Sequence, residues 1–500
     1  YEIDGHTLAI NVEGPADMKS QCRIFAQIAS TSISGVTSVA VTDLNDQRGN
    51  VTLCNVEDYS RLAELAVRDN WPLDKAESND AAPDPTGLPV GGSATAGLTG
   101  AALNDKIRQD ASAQRLEVDG ISTGTNTIVV YFENDKYFFE TDAVGRLARV
   151  LLADAPPNVE IFRLISLYRG VPTRQTKILR SDLERILSYN GSAAELDSAV
   201  SLSPAPIDNP ILDAQQQNYP RFGWSVFPRL ARSFFDPKAP ARFGIFGDAD
   251  GYVDVWPGFT LEGLADLAIY NGLAGTAVSN SVLPHVRSDF GEYYKHGAYG
   301  LSSLTATWRA RPTGEVFTEV KAGYLEDMFA GVGGQILWRP EGQRWAIGAD
   351  AYQVWQRGFD RLLDLRSYNV VTGHVNIYYE SPWYGLSFAV HGGRYLAGDW
   401  GGTIEISRRF DTGVEIGAFA TFTNVPFSKF GEGSFDKGII IRIPLEWMLP
   451  IYTQSEAKMD FRPLSRDGGQ RLDNDDSLYD ETRRTSYGEM YGHFSDIASP

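Results

Sequence analysis

No stretch of the 500-residue chain approaches the ~20 consecutive apolar residues that a membrane-crossing helix needs. Mean hydropathy is −0.24, which on its own describes a water-exposed protein. Neither observation bears on a membrane β-barrel, where only alternate residues meet lipid and the signal per segment is halved. A basic excess is also missing, with 45 Lys and Arg against 64 Asp and Glu and a net charge of −19. That excludes the basic footprint of a nucleic-acid binder. Cysteine is scarce. Cys22 and Cys54 are either one disulfide of an oxidising compartment, worth roughly 3 kcal/mol by loop entropy, or two buried thiols, and the sequence leaves both open. Without a nearby histidine pair they do not complete a four-ligand zinc site, so neither metal nor cofactor is expected. No charged-then-apolar leader precedes the first strand. Because a barrel needs export, the expectation is a processed or truncated product.

What the chain does have is aromatic residues: 23 Tyr, 25 Phe and 10 Trp, concentrated after Tyr219. Residues 1–75 read as an α/β unit, with strands at Leu8–Val12, Val36–Thr42 and Asn50–Asn55. Helical spacing covers Asp17–Ser30, and a second helix opens at Glu57-Asp58 with acidic residues in its first turn. Residues 76–115 form a linker and helix, and the Ala/Gly/Pro/Ser/Asp composition of its first part cannot offset its own ordering entropy. A second α/β unit spans 116–212, with strands at Thr127–Phe132, Val159–Leu167 and Gln175–Leu179 and a helix over Asp142–Ala153. There Ser181-Asp-Leu-Glu has capping-box spacing. The two units suggest a tandem βαββα repeat, and a Pro-rich connector follows at Ser201–Pro210.

From Arg221 to Glu446 the period becomes two. Val371, Gly373, Val375, Ile377 and Tyr379 share one face, against Thr372, His374, Asn376, Tyr378 and Glu380 on the other. Segments around Leu304, Trp345, Leu386 and Ile404 repeat the split. Strands of about 10–13 residues exceed those of a soluble sandwich. Aromatics such as Trp308, Tyr324, Trp338, Trp345, Trp355, Trp383 and Tyr384 gather at strand ends, the depth of lipid head groups. Tight turns (Trp256-Pro-Gly, Arg311-Pro-Thr-Gly, Arg339-Pro-Glu-Gly, Glu380-Ser-Pro-Trp, Asp411-Thr-Gly) alternate with longer loops. The expected fold is therefore an α+β periplasmic region followed by an antiparallel transmembrane β-barrel of about 12 strands. Short turns on the periplasmic side place both barrel ends there, with the tail 447–500 packed on the barrel or in it.

Four runs also resemble the YjbH/GfcD family of capsule and exopolysaccharide outer-membrane proteins. They are GYLEDMFAGVGGQILWRPEGQRWAIGADAYQVWQRGFD (Gly323–Asp360), LPHVRSD (Leu283–Asp289), FGEGSFDKGIIIRIP (Phe430–Pro444) and RPLSRDGGQRL (Arg462–Leu472). The resemblance covers about half the chain. It implies an outer-membrane role in secreting or displaying an exopolysaccharide, without an established enzymatic activity. It further implies an additional N-terminal barrel portion of the same protein and periplasmic export partners.

Alternation assigns Glu262, Asp266, Tyr270, Arg309, Glu319, Lys321, Asp350, Tyr352, His374, Tyr378, Glu405, Arg409, Glu415 and Arg442 to the lumen. Such a wall either guides a hydrated glycan or closes on itself through ion pairs. His285, Arg287 and Asp289 lie in the longest loop and, with Lys437, are candidates for a plug. No Gly-x-Ser-x-Gly nucleophile motif accompanies the His/Asp pair, so loop anchoring is preferred to catalysis. The glycines at Phe430–Lys437 lack the Gly-Lys-Ser/Thr of a phosphate loop, and the acidic tail lacks EF-hand spacing. Three functions compete: a non-catalytic polysaccharide-secretion component in contact with outer-membrane lipid and the secreted polymer, a barrel enzyme modifying lipid or glycan, and a passive porin or anchor.

Overall fold

The computed structural model describes residues 2–4, 7–12, 38–43, 51–55, 100–187, 200–207, 219–236, 239–275, 281–430, 435–448, 452–462, 467–473 and 477–498. The helices expected at Asp17–Ser30 and from Glu57, most of the linker, and the Cys22–Cys54 pairing lie outside them. The chain divides into two units, Tyr1–Pro83 and Asp84–Pro500. Among the described residues, no helix is long and apolar enough to cross a membrane.

The first unit is a four-stranded sheet of β1 (Glu2–Asp4), β2 (Thr7–Val12), β3 (Ser38–Asp43) and β4 (Val51–Asn55), paired in chain order. β1–β2 is antiparallel, β2–β3 parallel and β3–β4 antiparallel.

The second unit opens on a five-stranded sheet: β5 (Glu117–Thr123), β6 (Thr127–Glu133), β7 (Ile161–Tyr168), β8 (Val171–Leu179) and β9 (Ser201–Pro204). Its first three pairings repeat the antiparallel, parallel, antiparallel order of the first sheet. A parallel pair needs a crossover, and the helix Glu140–Asp154 supplies it between β6 and β7. Val144, Leu147 and Leu151 of that helix join Ile128, Val130, Phe162 and Leu164 in one core. The helix expected to open with a capping box begins instead at Arg180. Ser181 is not its cap: the Ser181 amide and hydroxyl donate to Glu160 Oε1 at 3.2 and 2.5 Å. A carboxylate from outside the helix thus outcompetes the neutral box, and Glu184 takes Arg180 Nε at 2.9 Å instead.

Thirteen strands then follow in one antiparallel sheet, each paired to the next in sequence. They are β10 (Arg221–Asp236), β11 (Ala239–Trp256), β12 (Phe259–Asn271), β13 (Tyr299–Thr313), β14 (Val316–Tyr324), β15 (Phe329–Trp338) and β16 (Trp345–Arg357). The rest are β17 (Leu365–Glu380), β18 (Leu386–Arg394), β19 (Trp400–Arg409), β20 (Glu415–Thr423), β21 (Asp436–Pro444) and β22 (Glu456–Phe461). The count exceeds the expected twelve because β22 lies in the stretch read as tail. Its six residues are too few to show a period, and pairing with β21 defines it.

The sheet curls into a nearly closed barrel. Arg232 Nη2 of β10 donates to the Lys458 carbonyl of β22 at 3.2 Å, and Phe234 stacks on Phe461 with centroids 5.5 Å apart. An odd strand number makes these two strands run the same way, and among the described residues no backbone ladder joins them. Thirteen strands about 4.8 Å apart and tilted by about 40° enclose a backbone diameter of about 25 Å.

The wall is apolar outside. Val371, Val375 and Ile377 are 51, 57 and 49% exposed, while Thr372, His374 and Asn376 between them are buried. Trp256, Trp308, Trp338, Trp383 and Tyr384 ring the mouth with the tight turns, and Tyr299 and Trp400 mark the long-loop mouth. The five-stranded layer caps the tight-turn mouth. Arg221 pairs there with Asp119 and, at 3.0 Å, with Glu133, and Arg174 pairs with Glu341 at 2.6 Å.

Candidate functional site

The lumen is polar because the pleat turns every second residue inward, and the structure fills it with a segment the alternation could not reveal. After β22 the chain turns back at the long-loop mouth. Asp467 accepts from the Arg287 and Ser288 amides, both at 2.9 Å, and the Gly469 amide donates to Asp399 at 2.8 Å. Midway down, Arg471 pairs with Glu405 at 2.5 Å. Tyr479 lies flat on Tyr378, with centroids 3.8 Å apart and planes 6° off parallel. Near the tight-turn mouth, Arg309 holds Glu481 at 2.7 Å, Arg483 holds Glu415 at 3.1 Å, and Arg442 holds Asp480 at 3.4 Å. Arg409 reaches Glu489 at 3.2 Å. The chain then leaves the barrel, and Met490, Phe494 and Ile497 complete the core of the α/β layer. Among the described residues, 467–473 and 477–483 thus lie against the lumen wall.

Ser477 and Ser486 start its short helices, accepting from the amides of Asp480 at 3.2 Å and Glu489 at 3.3 Å. Both have the capping-box spacing. That signal was present in the sequence and identifies the tail as structured.

Between tail and wall a cavity of about 460 Å³ remains along β16–β22. Asp350, His374, Asn376 and Tyr378 line it on β16 and β17, with His391 and Glu405 on the next two strands, β18 and β19. Asp350 receives His374 Nδ1 at 3.3 Å and Asn376 Nδ2 at 2.9 Å, and His391 Nδ1 meets Asn376 Oδ1 at 2.7 Å. Glu319 is held by Arg309 at 3.4 Å and Gln335 at 3.2 Å, with Lys321 4.0 Å away, and Tyr352 accepts from Gln335 at 3.3 Å. Glu262 is half-buried, in register with Tyr252 and Thr305. Among the described residues no cluster of three or more His, Cys, Asp and Glu is placed to hold a metal ion.

Two residues assigned to the interior point the other way. A bulge between Ile245 and Phe246 puts Tyr270 opposite Ile245, on the outer face, where it is 60% exposed. Lys437, read as part of a loop plug, is the second residue of β21. It pairs with Ala420, is exposed, and stands 4.3 Å from the Phe435 ring.

The long loop does fold inward. Val286 and Tyr293 pack with Phe329, Tyr352, Val354 and Leu396 as an apolar cap. Arg287 grips Glu326 through two bonds of 2.5 and 2.9 Å. His285 Nδ1 meets Asp289 at 2.7 Å and Nε2 meets the Ser281 carbonyl at 3.2 Å. Burial opposes a charge on this ring, but Asp289 and the carbonyl outweigh it and raise the pKa. With both nitrogens engaged by acceptors, the ring serves as a clamp.

Sequence reasoning missed two buried arginines beneath this cap. Arg361 donates to Asp266 at 2.5 and 2.7 Å, and Arg357 donates to five backbone carbonyls, those of Ser302, Glu326, Leu301, Arg361 and Leu362. Neither position carries an alternation signal, since Arg361 sits in a turn at φ 55° and Arg357 ends its strand beside a register shift.

The family described as exopolysaccharide biosynthesis protein YbjH matches residues 35–484. A curated relative, the uncharacterized lipoprotein YjbH of Escherichia coli (strain K12), is 31% identical over 376 residues, or 71% of this chain. The chain spans about half of that relative, 52% of its length. A barrel with a polar, tail-filled lumen is thus the architecture this sequence carries across the matched region, and the chain belongs to the YjbH family of exopolysaccharide biosynthesis proteins.

Proposed function

We propose that this protein is an outer-membrane component for secretion or surface display of an exopolysaccharide, working as a barrel with periplasmic α/β layers and without catalysis. One observation carries the reading: an apolar, aromatic-rimmed wall encloses a lumen of paired charges, hydrogen-bonding side chains and tyrosines. Bilayer lipid suits the outside, and a hydroxyl-rich polymer suits the inside. Short turns are periplasmic in such barrels, which supports a periplasmic α/β layer available for docking of export proteins. The long-loop mouth then faces outward. An additional N-terminal barrel portion belongs to this reading, since the relative is about twice as long.

Non-catalytic action is supported by the fate of the His285–Asp289 pair, which clamps its own loop. Deleting the gene should lower surface polysaccharide while its synthesis continues. Unchanged surface polysaccharide in the deletion strain refutes the proposal.

A further inference from the structure

We infer that the C-terminal tail is a displaceable plug, latched to the α/β layer, that occupies the track the polysaccharide takes through the barrel. The inference rests on the export reading for the identity of the polymer, but the plug itself is a separate claim.

The tail's contacts differ in kind along its length. Inside the barrel they are mostly ionic or hydrogen-bonded: Arg471–Glu405, Arg442–Asp480, Arg309–Glu481 and Arg483–Glu415. Apolar packing there comes from Leu478 and Tyr479 against Phe317, Leu337, Ala346 and Tyr378, and from Leu472 against the cap cluster. Most of these pairs are buried, but withdrawal re-solvates both partners of each, exchanging the pair for water or hydroxyl groups, and this stretch leaves without exposing a large apolar surface. Past the tight-turn mouth the contacts are apolar, with Met490, Phe494 and Ile497 sunk in the layer's core. The tail is held chiefly by polar pairs where it blocks and by apolar packing beyond the barrel.

Dimensions agree. The tail helix Leu478–Arg483 with its side chains is about 10–12 Å across, and inside a barrel of about 25 Å backbone diameter a cavity of about 460 Å³ remains beside the tail. A glycan chain cannot pass beside it. Once the tail is withdrawn, Glu405, Glu415 and Arg442 face the lumen from β19, β20 and β21, and Arg309 faces it from β13 across the barrel. Both signs are present, which favours a hydroxyl-rich chain over a densely charged polymer.

The latch has a specific weak point. Gly145 lies under the last helix, Phe494–Ala498, and a Cβ there would stand 2.9 Å from Ile497 Cα. Gly145→Leu therefore pushes that helix off the layer without touching the barrel. Ile497→Asp attacks the same contact from the other side. Full-length wild type and both variants would be compared in planar bilayers, alongside proteoliposome uptake of maltohexaose. Overpacking a latch of this kind should raise the open fraction on the order of tenfold or more, with near-silent wild type. If both variants keep the barrel's heat-shifted migration yet stay as silent as wild type, the plug is refuted. A wild type as conductive as the variants refutes it equally. Conducting variants in a protein whose deletion leaves surface polysaccharide unchanged would sink the export reading and leave the plug standing.

Discussion

Replacing Asp266 by alanine should unseat the loops that close the long-loop mouth. The Asp266 side chain is 0% exposed and accepts from Arg361 at 2.5 and 2.7 Å, from Arg229 at 2.9 Å and from Ser302 at 2.8 Å. Arg229 keeps Asp248 at 2.6 Å, so its charge stays paired in the variant. Arg361 does not fare as well: its side chain is 1% exposed, and the nearest remaining carboxylate, Asp327 at 3.2 Å, is one-third exposed. An uncompensated buried charge of this kind costs about 3–5 kcal/mol. The measurement is urea unfolding in micelles, followed by tryptophan fluorescence, for Asp266→Ala, Arg361→Met and the double variant. Because the pair shares one network, the double variant should be less destabilised than the sum of the singles by more than about 1 kcal/mol. Additivity within about 0.5 kcal/mol, or a loss below about 1 kcal/mol for Asp266→Ala, would refute the assignment of this pair as the knot holding the loops.

Burial pushes the Glu140 carboxyl up to about 7, against the hydrogen bond from Asn134 Nδ2 at 3.0 Å. A carboxyl raised in the folded state adds stability that is full below its unfolded pKa and is lost as pH rises through 7, so the layer should gain about 1 kcal/mol between pH 8 and pH 6. Glu140→Gln should flatten that slope, and an unchanged slope in thermal melts would count against it. The double variant His285→Ala/Asp289→Ala should export polysaccharide at the wild-type level, since a clamp can be lost without loss of chemistry; abolished export with a folded barrel would revive the enzyme reading. Cysteine at Leu363, which is 65% exposed, should react with an impermeant maleimide on intact cells. Cysteine at Gln343, in a tight turn, should react only after permeabilisation, and the reverse pattern would invert the orientation.

The barrel was legible because an apolar outer face set against a polar lumen imposes a two-residue period on long strands. In β17 the strand extends from the recognised Val371–Glu380 back to Leu365, although Leu365, Arg366 and Ser367 are all exposed and carry no alternation. The period fails wherever a local irregularity resets it, as the bulge before Tyr270 does, because a one-residue slip exchanges the two faces. Lys437 was misplaced for a simpler reason: Gly-rich composition read as loop, while pairing with β20 begins at Asp436. The partners of Arg309, Glu405 and Glu415 were invisible in the sequence. Arg309 and Glu481 are 172 residues apart, and no periodicity encodes what occupies the inside of a barrel. The tail's two capping boxes were the one local clue.

The path of the tail also fixes an order of construction. The α/β layer is synthesised before the barrel, yet Met490, Phe494 and Ile497 of its core come from the last residues of the chain, delivered through the barrel itself. The core of the layer is therefore complete only when residues beyond the last strand have packed into it. Segments on either side of the barrel in sequence thus share one core, so the integrity of the layer depends on residues that the barrel separates by more than 250 positions.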